Sequence, residues 1–216
     1  MVPAPFSGKV TALVILHDMP RRFAATDIGS NTVHLLIGEV TNRGSIRRII
    51  NISEWLSLGE IVGKTGKIPS LDSAHLIETL RRYKRICDDA GVERFYAFAT
   101  EAMRVAENHS KLIADIKKDL GIKVDLITAR RETELSLQGA SLDTPLQGAT
   151  IFVEVGGGSV QIALCQEQEI TYQASLPIGT GRLLASTGLI QPATSDHLSQ
   201  LIAATRTQWA NAERLR

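Results

Sequence analysis

The stretch Phe152–Leu164, FVEVGGGSVQIAL, decides how this chain is read. A β-branched, apolar run gives way to three consecutive glycines and a serine, then resumes in alternation. Strand residues on both sides of a bend without Cβ atoms describe a backbone that turns tightly around something small and anionic. The polar residues flanking the bend are Glu154 and Gln161, one carboxylate and one amide, so the acidic complement of such a loop is incomplete.

Working outward, the same pattern occurs once before. FAATDI leads into the polar knot GSNT, VHLLIGEV follows as a second strand, and SIRRIINISEWLSL supplies a third with Asn42–Gly44 as its hairpin turn. Gly63–Ser70 reads as loop. Ser70 is a candidate N-cap for a helix in which Leu76 or Ile77, Leu80, Tyr83 and Cys87 recur at helical spacing before Gly91. RFYAFAT reads as a buried strand, Thr100 or Asn108 as a cap of the short helices that follow, and Ser110 as the cap of the helix KLIADIKKDL, which Gly121 stops. KVDLIT is another strand and RETELSLQGA another helix.

Beyond the loop SLDTPLQG the opening pattern returns as TIFVEV, GGGS, VQIALC and EITYQASLP, followed by helices near Gly181–Ser186 and Ser195–Arg214. Two copies of strand, small-residue turn, strand, strand therefore stand about 130 residues apart. The expected fold class is α/β, with helices packed on each sheet. The expected organisation is an extension over residues 1–21, a first domain over 22–145, and a partial second domain over 146–216, whose copy of the pattern stops early.

The paired turns carry the chemistry. DIGSNT sets Asp27 at a strand end and Gly29, Ser30, Asn31 and Thr32 in the turn, offering backbone N–H groups, hydroxyls and an amide to phosphate oxygens. Gly156, Gly157, Gly158 and Ser159 hold the equivalent place in the second copy. Two facing turns of this kind would grip a phosphoryl group from both sides.

Composition narrows the rest. With 24 Lys plus Arg against 23 Asp plus Glu, no global charge drives binding to nucleic acid or membrane, and a polyanion must be held locally. The apolar run Val10–Leu16 is too short to span a bilayer and lacks the surroundings of a signal peptide. Cys87 and Cys165 read as two buried thiols of a cytoplasmic protein. Arg81, Arg82, Lys84 and Arg85 read as a solvated helix face, His34 as a packed strand residue, and Trp55 and Trp209 as core or interface anchors.

In order, ATDIGSNTVHLLIGEV, FATEAMRVAEN, RETELSLQGA, VEVGGGSVQIAL and SLPIGTGRL resemble the successive motifs of the exopolyphosphatase and guanosine pentaphosphate phosphatase family, part of the actin, sugar kinase and chaperone ATPase superfamily. The resemblance implies duplicated ribonuclease H-like, actin-like ATPase domains, the second incomplete here, with water cutting phosphoanhydrides in the cleft between them. It implies inorganic polyphosphate or a guanosine polyphosphate as ligand and is compatible with a homodimer. It makes Glu132 the residue that orients or deprotonates the attacking water, and directs Arg104 toward the phosphates. Asp27 and Glu154 become candidate ligands of Mg2+, and Gln161 a water-orienting residue.

Four positions depart from the family pattern. Glu154 stands for an aspartate, Gln161 for a glutamate, Arg131 for a second acid, and Ser57 for an arginine. A hard cation prefers anionic oxygen in strict geometry, so reduced turnover is expected, with a non-catalytic phosphate- or nucleotide-binding module as the alternative. Arg130 and Arg131 next to Glu132 are expected to favour its ionised form.

Overall fold

The structure, a computed structural model, describes residues 21–213 apart from 42–44, 145, 168 and 189–193. Residues 1–20 of the expected extension and the Asn42–Gly44 turn lie outside the described residues.

Alternating apolar residues build the first sheet. Strands β1 (Arg21–Ile28), β2 (Thr32–Val40) and β3 (Ile46–Trp55) form an antiparallel meander. Helices α1 (Leu58–Thr65) and α2 (Ser70–Asp89) return the chain to β4 (Arg94–Ala99), which lies parallel to β1. After α3 (Glu101–Val105) and α4 (His109–Leu120), β5 (Val124–Leu126) pairs in parallel with β4. The order β3-β2-β1-β4-β5 is the ribonuclease H-like arrangement. Helix α5 (Ala129–Asp143) then crosses to a second sheet of β6 (Ala149–Val155), β7 (Val160–Gln166) and β8 (Glu169–Leu176), again an antiparallel meander. Helices α6 (Thr180–Thr187) and α7 (Ser195–Glu213) follow.

The main core lies on one face of the first sheet. Period-two alternation turns Ala24, Thr26 and Ile28 of β1 and Val33, Leu35 and Ile37 of β2 to the same side, where Leu76, Leu80 and Tyr83 of α2 and Leu112 and Ile116 of α4 bury them. Each large apolar side chain buried here contributes roughly 1.5–3 kcal/mol. Tyr83 finds a partner for its hydroxyl at Val33 O, 2.9 Å away. The second core is small: Leu137 of α5 meets Ala163 and Cys165, flanked by Phe152 and Ile170. α5, assigned from sequence to the first domain, thus packs on the second sheet. On that sheet's other face Ile151, Val153 and Val155 are exposed, whereas their counterparts in the first copy, Ala24, Thr26 and Ile28, are buried.

Several local expectations are corrected. Helix α1 occupies much of the segment expected to be strand end and loop, with Gly63 inside it and Gly66 closing it at φ 73°. Ser70 is the first helical residue of α2 rather than its cap. Asn108 precedes α4 without capping it, because its amide bridges Ile68 N and O at 2.9 and 2.8 Å. Thr128 supplies the cap of α5, accepting from Arg131 N. Trp55 is no core anchor: at 67% exposure it stands at the mouth of the crevice described below, and Trp209 is also exposed. Both cysteines are free and buried, as expected. No helix among the described residues is long and apolar enough to cross a membrane.

Candidate active site

Both turns are built alike. Gly29 N donates to Thr32 O at 3.0 Å, and Gly156 N to Ser159 O at 2.9 Å, so each strand pair is closed by the same bond over the same number of residues. A helix N-terminus then locks each turn. Gly59 N of α1 donates to Ser30 O (2.7 Å), and Gly181 N of α6 to Gly157 O (2.8 Å). The N–H groups of Leu56 and Ser57 both reach Asn31 O, and Ser57 then takes a left-handed conformation (φ 51°) as the chain enters α1. For a residue with a side chain that conformation is strained.

The two turns meet. Ser30 and Asn31 press into the glycines of the second copy so closely that a β-carbon at Gly157 would lie 2.5 Å from Asn31 Cγ, and one at Gly158 would overlap Ser30 Oγ. Only glycine permits this approach. Asn31 Nδ2 also donates to Thr180 Oγ1 at 3.3 Å. The meeting leaves a crevice of about 250 Å³ lined by all eight turn residues, Gly29–Thr32 and Gly156–Ser159, together with Asp27, Glu132, Glu154 and Gln161. Trp55, Thr100 and Glu101 complete its wall.

The acidic residues are electrically coupled. Burial, and then the nearby charges of Glu132 and Glu154, push the Asp27 carboxyl up to about 7 against the opposing pull of Arg104. Asp27 Oδ1 and Glu154 Oε2 are buried without a hydrogen-bond partner. Such orphaned carboxylate oxygens are what a divalent cation requires, although no group of three His, Cys, Asp or Glu side chains among the described residues forms a ready metal cage. Gln161 is almost fully buried, and its Nε2 donates to Ser159 Oγ at 2.7 Å, which fixes the hydroxyl of the second turn.

Glu132 differs from expectation in its partners. Arg130 and Arg131 both bind Glu134, whose carboxyl they hold low. Glu132 is instead raised, chiefly by burial, with Arg104 opposing and Glu154 and Glu101 adding. Arg104 stands behind it, donating from Nη1 to Glu132 Oε2 (2.8 Å) and to Ile127 O (2.9 Å), and from Nη2 to Glu101 Oε2 (3.0 Å). Its guanidinium orients Glu132 in this structure rather than lining the crevice. Of the smaller features, His34 binds Asn51, and Arg81, Arg82, Lys84 and Arg85 pair with Glu78, Glu54 and Asp88 on an exposed helix face.

Sequence reasoning passed over Glu101, although it lies inside the quoted FATEAMRVAEN, and over Arg182 of SLPIGTGRL, which donates to Glu101 Oε1 at 2.7 Å. Their signal is spatial: 81 residues separate them.

Comparisons with known proteins agree with this geometry. Residues 36–213 match the Ppx/GppA phosphatase family. Exopolyphosphatase 1 of Mycobacterium tuberculosis is 29% identical over 163 residues, 75% of this chain and 47% of that protein. The crystal structure of an exopolyphosphatase from Cytophaga hutchinsonii superposes with a TM-score of 0.75 at 30% identity, covering 82% of this chain and 56% of that one. The Aquifex aeolicus member of the Ppx/GppA family gives 0.70 at 30% identity, with 83% and 58% covered. The chain spans about half the length of the curated relatives it matches. Motif order, sheet topology and these likenesses together make this chain a member of the Ppx/GppA phosphatase family.

Proposed function

We propose that the chain hydrolyses a terminal phosphoanhydride bond, with inorganic polyphosphate as the main substrate and guanosine pentaphosphate as a second candidate. The observation that carries this reading is the convergence of two phosphate-shaped turns and Glu132 on one crevice. Backbone N–H groups and the hydroxyls of Ser30 and Ser159 hold the terminal phosphoryl group in place, with donors that need no rearrangement as charge builds. Glu132 accepts a proton from water as its oxygen bonds to phosphorus, and the anhydride P–O bond breaks to release the shortened chain. A carboxyl raised by burial is a better base near neutral pH than an exposed one.

Magnesium fits the orphaned oxygens of Asp27 and Glu154. Asp27 and Glu154 would hold such an ion, and it would supply neutralisation of charge on the phosphates.

The test is phosphate release from long-chain polyphosphate, with magnesium, by wild type and Glu132→Gln. A fall of about 10²–10⁴ in kcat is expected for the variant; equal rates would remove Glu132 from the mechanism. A second reading, a binding module without turnover, is favoured by Gln161, whose buried amide takes the place of a carboxylate and occupies Ser159. Tight polyphosphate binding without release, together with release gained in Gln161→Glu, would select it.

A further inference from the structure

A chain of alternating charges links the second lobe to Glu132. Arg182, near the start of α6, donates to Glu101 Oε1 at 2.7 Å; Glu101 Oε2 accepts from Arg104 Nη2 at 3.0 Å; Arg104 Nη1 donates to Glu132 Oε2 at 2.8 Å. Both arginines are tied to backbone as well. Arg182 N donates to Gly157 O in the second glycine turn (3.2 Å), and Arg104 Nη1 to Ile127 O just before α5 (2.9 Å). Glu101 also lies against that turn, since a β-carbon at Gly158 would come within 2.9 Å of its Cγ. Glu101, Arg104 and Glu132 have side-chain exposures of only 16%, 17% and 17%, whereas Arg182 at the rim is 39% exposed. In the drier stretch from Glu101 to Glu132 each link is strengthened and an unpaired member is penalised, while the link from Arg182 is partly screened by water.

We propose that Glu101 and Arg182 are positioning residues that couple closure of the second glycine turn on phosphate to the orientation of Glu132. The proposal rests on the hydrolase reading for the role of Glu132. With the turn closed, Glu101 divides its two oxygens between Arg182 and Arg104, and this division fixes the plane of the Arg104 fork. The fork in turn aims Glu132. If α6 moves away with its turn, Glu101 loses one partner and can rotate, Arg104 loses its second anchor, and Glu132 no longer points at one place. Water activation is thereby confined to the state in which both turns hold the phosphoryl group. Because the turns bind phosphate through their own donors, breaking the link affects the chemical step more than substrate binding.

The test uses Arg182→Met, Glu101→Gln and Arg182→Lys with long-chain polyphosphate and magnesium. Arg182→Met and Glu101→Gln are expected to lower kcat about 10–100-fold, with KM within about threefold of wild type. Arg182→Lys, which keeps the charge, is expected to recover at least about threefold of the Arg182→Met loss. A kcat for Arg182→Met within about twofold of wild type, or a Lys variant no better than the Met variant, overturns the proposal. Hydrogen exchange with tripolyphosphate supplies a readout independent of turnover. In wild type the ligand should protect both the Gly29–Thr32 turn and the first turn of α5; in Arg182→Met only the former should remain protected. Equal protection of α5 in both proteins overturns the coupling. A wild type that releases no phosphate overturns the hydrolase reading instead, and the exchange pattern alone then decides the coupling.

Discussion

Replacing Asp27 with asparagine removes an ionisable group from a point crowded by Glu132 and Glu154 while keeping its shape. Asp27 Oδ1 is buried without a hydrogen-bond partner, and burial with two neighbouring carboxylates carries its proton affinity from the ordinary 3.8 to about 7. The folded chain therefore binds this proton more tightly than the unfolded chain does. The resulting stabilisation is complete below the unfolded value, near pH 4, and is lost as pH rises through about 7. At ~1.4 kcal/mol for each tenfold change in proton affinity, complete loss amounts to at most ~4 kcal/mol. Water reaching a crevice-lining group reduces this, and about 2–3 kcal/mol is the expected effect.

Asparagine does not titrate in this range. In urea unfolding with a chelator present, Asp27→Asn should exceed wild type by about 2–3 kcal/mol at pH 8, and the two should converge toward pH 4.5. Magnesium at a large excess over its dissociation constant should narrow or reverse the gap at pH 8, because a cation held by ionised Asp27 together with Glu154 stabilises wild type more than a variant that keeps Glu154 alone. Activity should fall in the more stable variant, the trade expected where a site stores unfavourable charge. Parallel stability profiles for the two proteins across this pH range, or an asparagine variant less stable at pH 8 without metal, would refute the electrostatic reasoning.

Gly158→Ala should force the two turns apart, since the added β-carbon overlaps buried Ser30 Oγ; kcat/KM for polyphosphate should drop at least about tenfold in a phosphate-release assay. Tyr83→Phe should lower the unfolding free energy by about 1–3 kcal/mol, because Val33 O loses its buried donor, while phosphate release below the melting temperature stays at the wild-type rate.

The paired turns and the strands flanking them were legible because both rest on local chemistry: alternation sets the strands, and small or hydroxyl residues mark where the backbone must bend; the parallel placing of β4 and β5 beside β1 is non-local and was implied only by the family resemblance. Helix α1 was not. Gly59, Gly63 and Gly66 lower helix propensity, and the stretch from Gly63 read as loop, yet the fold needs Gly59 small, since a β-carbon there would lie 2.7 Å from Ser30 Cβ, and uses the left-handed Gly66 to end the helix. Tertiary packing overrides local preference there. The environment of Glu132 was misread for a geometric reason. Neighbours along a helix project in different directions, so Arg130 and Arg131 reach Glu134, one turn ahead, while Glu132 faces inward to Arg104. Trp55 looked like core because it is large and apolar; its place at the end of β3 sets it beside the crevice instead.

The duplication reaches beyond the turns, and where it fails is informative. Residues 59–66, GEIVGKTG, and 181–188, GRLLASTG, occupy α1 and α6, and the match is structural as well as textual. Thr65 Oγ1 donates to Ile61 O and Thr187 Oγ1 to Leu183 O, both at 2.8 Å, and each helix ends on a left-handed glycine, Gly66 or Gly188. Gly63 faces Ala185 where the helices pass, 3.9 Å from the position of its missing β-carbon. Two equivalent turn-and-helix units thus approach from opposite sides, which suits a tetrahedral anion with oxygens to offer each. A symmetric clamp alone, however, gives water no preferred side of attack. The asymmetry lies in what stands beside the turns: the first copy adds α3 with Glu101 and Arg104, and α5 brings Glu132 to the same side. On the proposed hydrolase reading, duplication supplies the grip, and the Arg104–Glu132 arm, which has no counterpart beside the second turn, is what gives the reaction a direction.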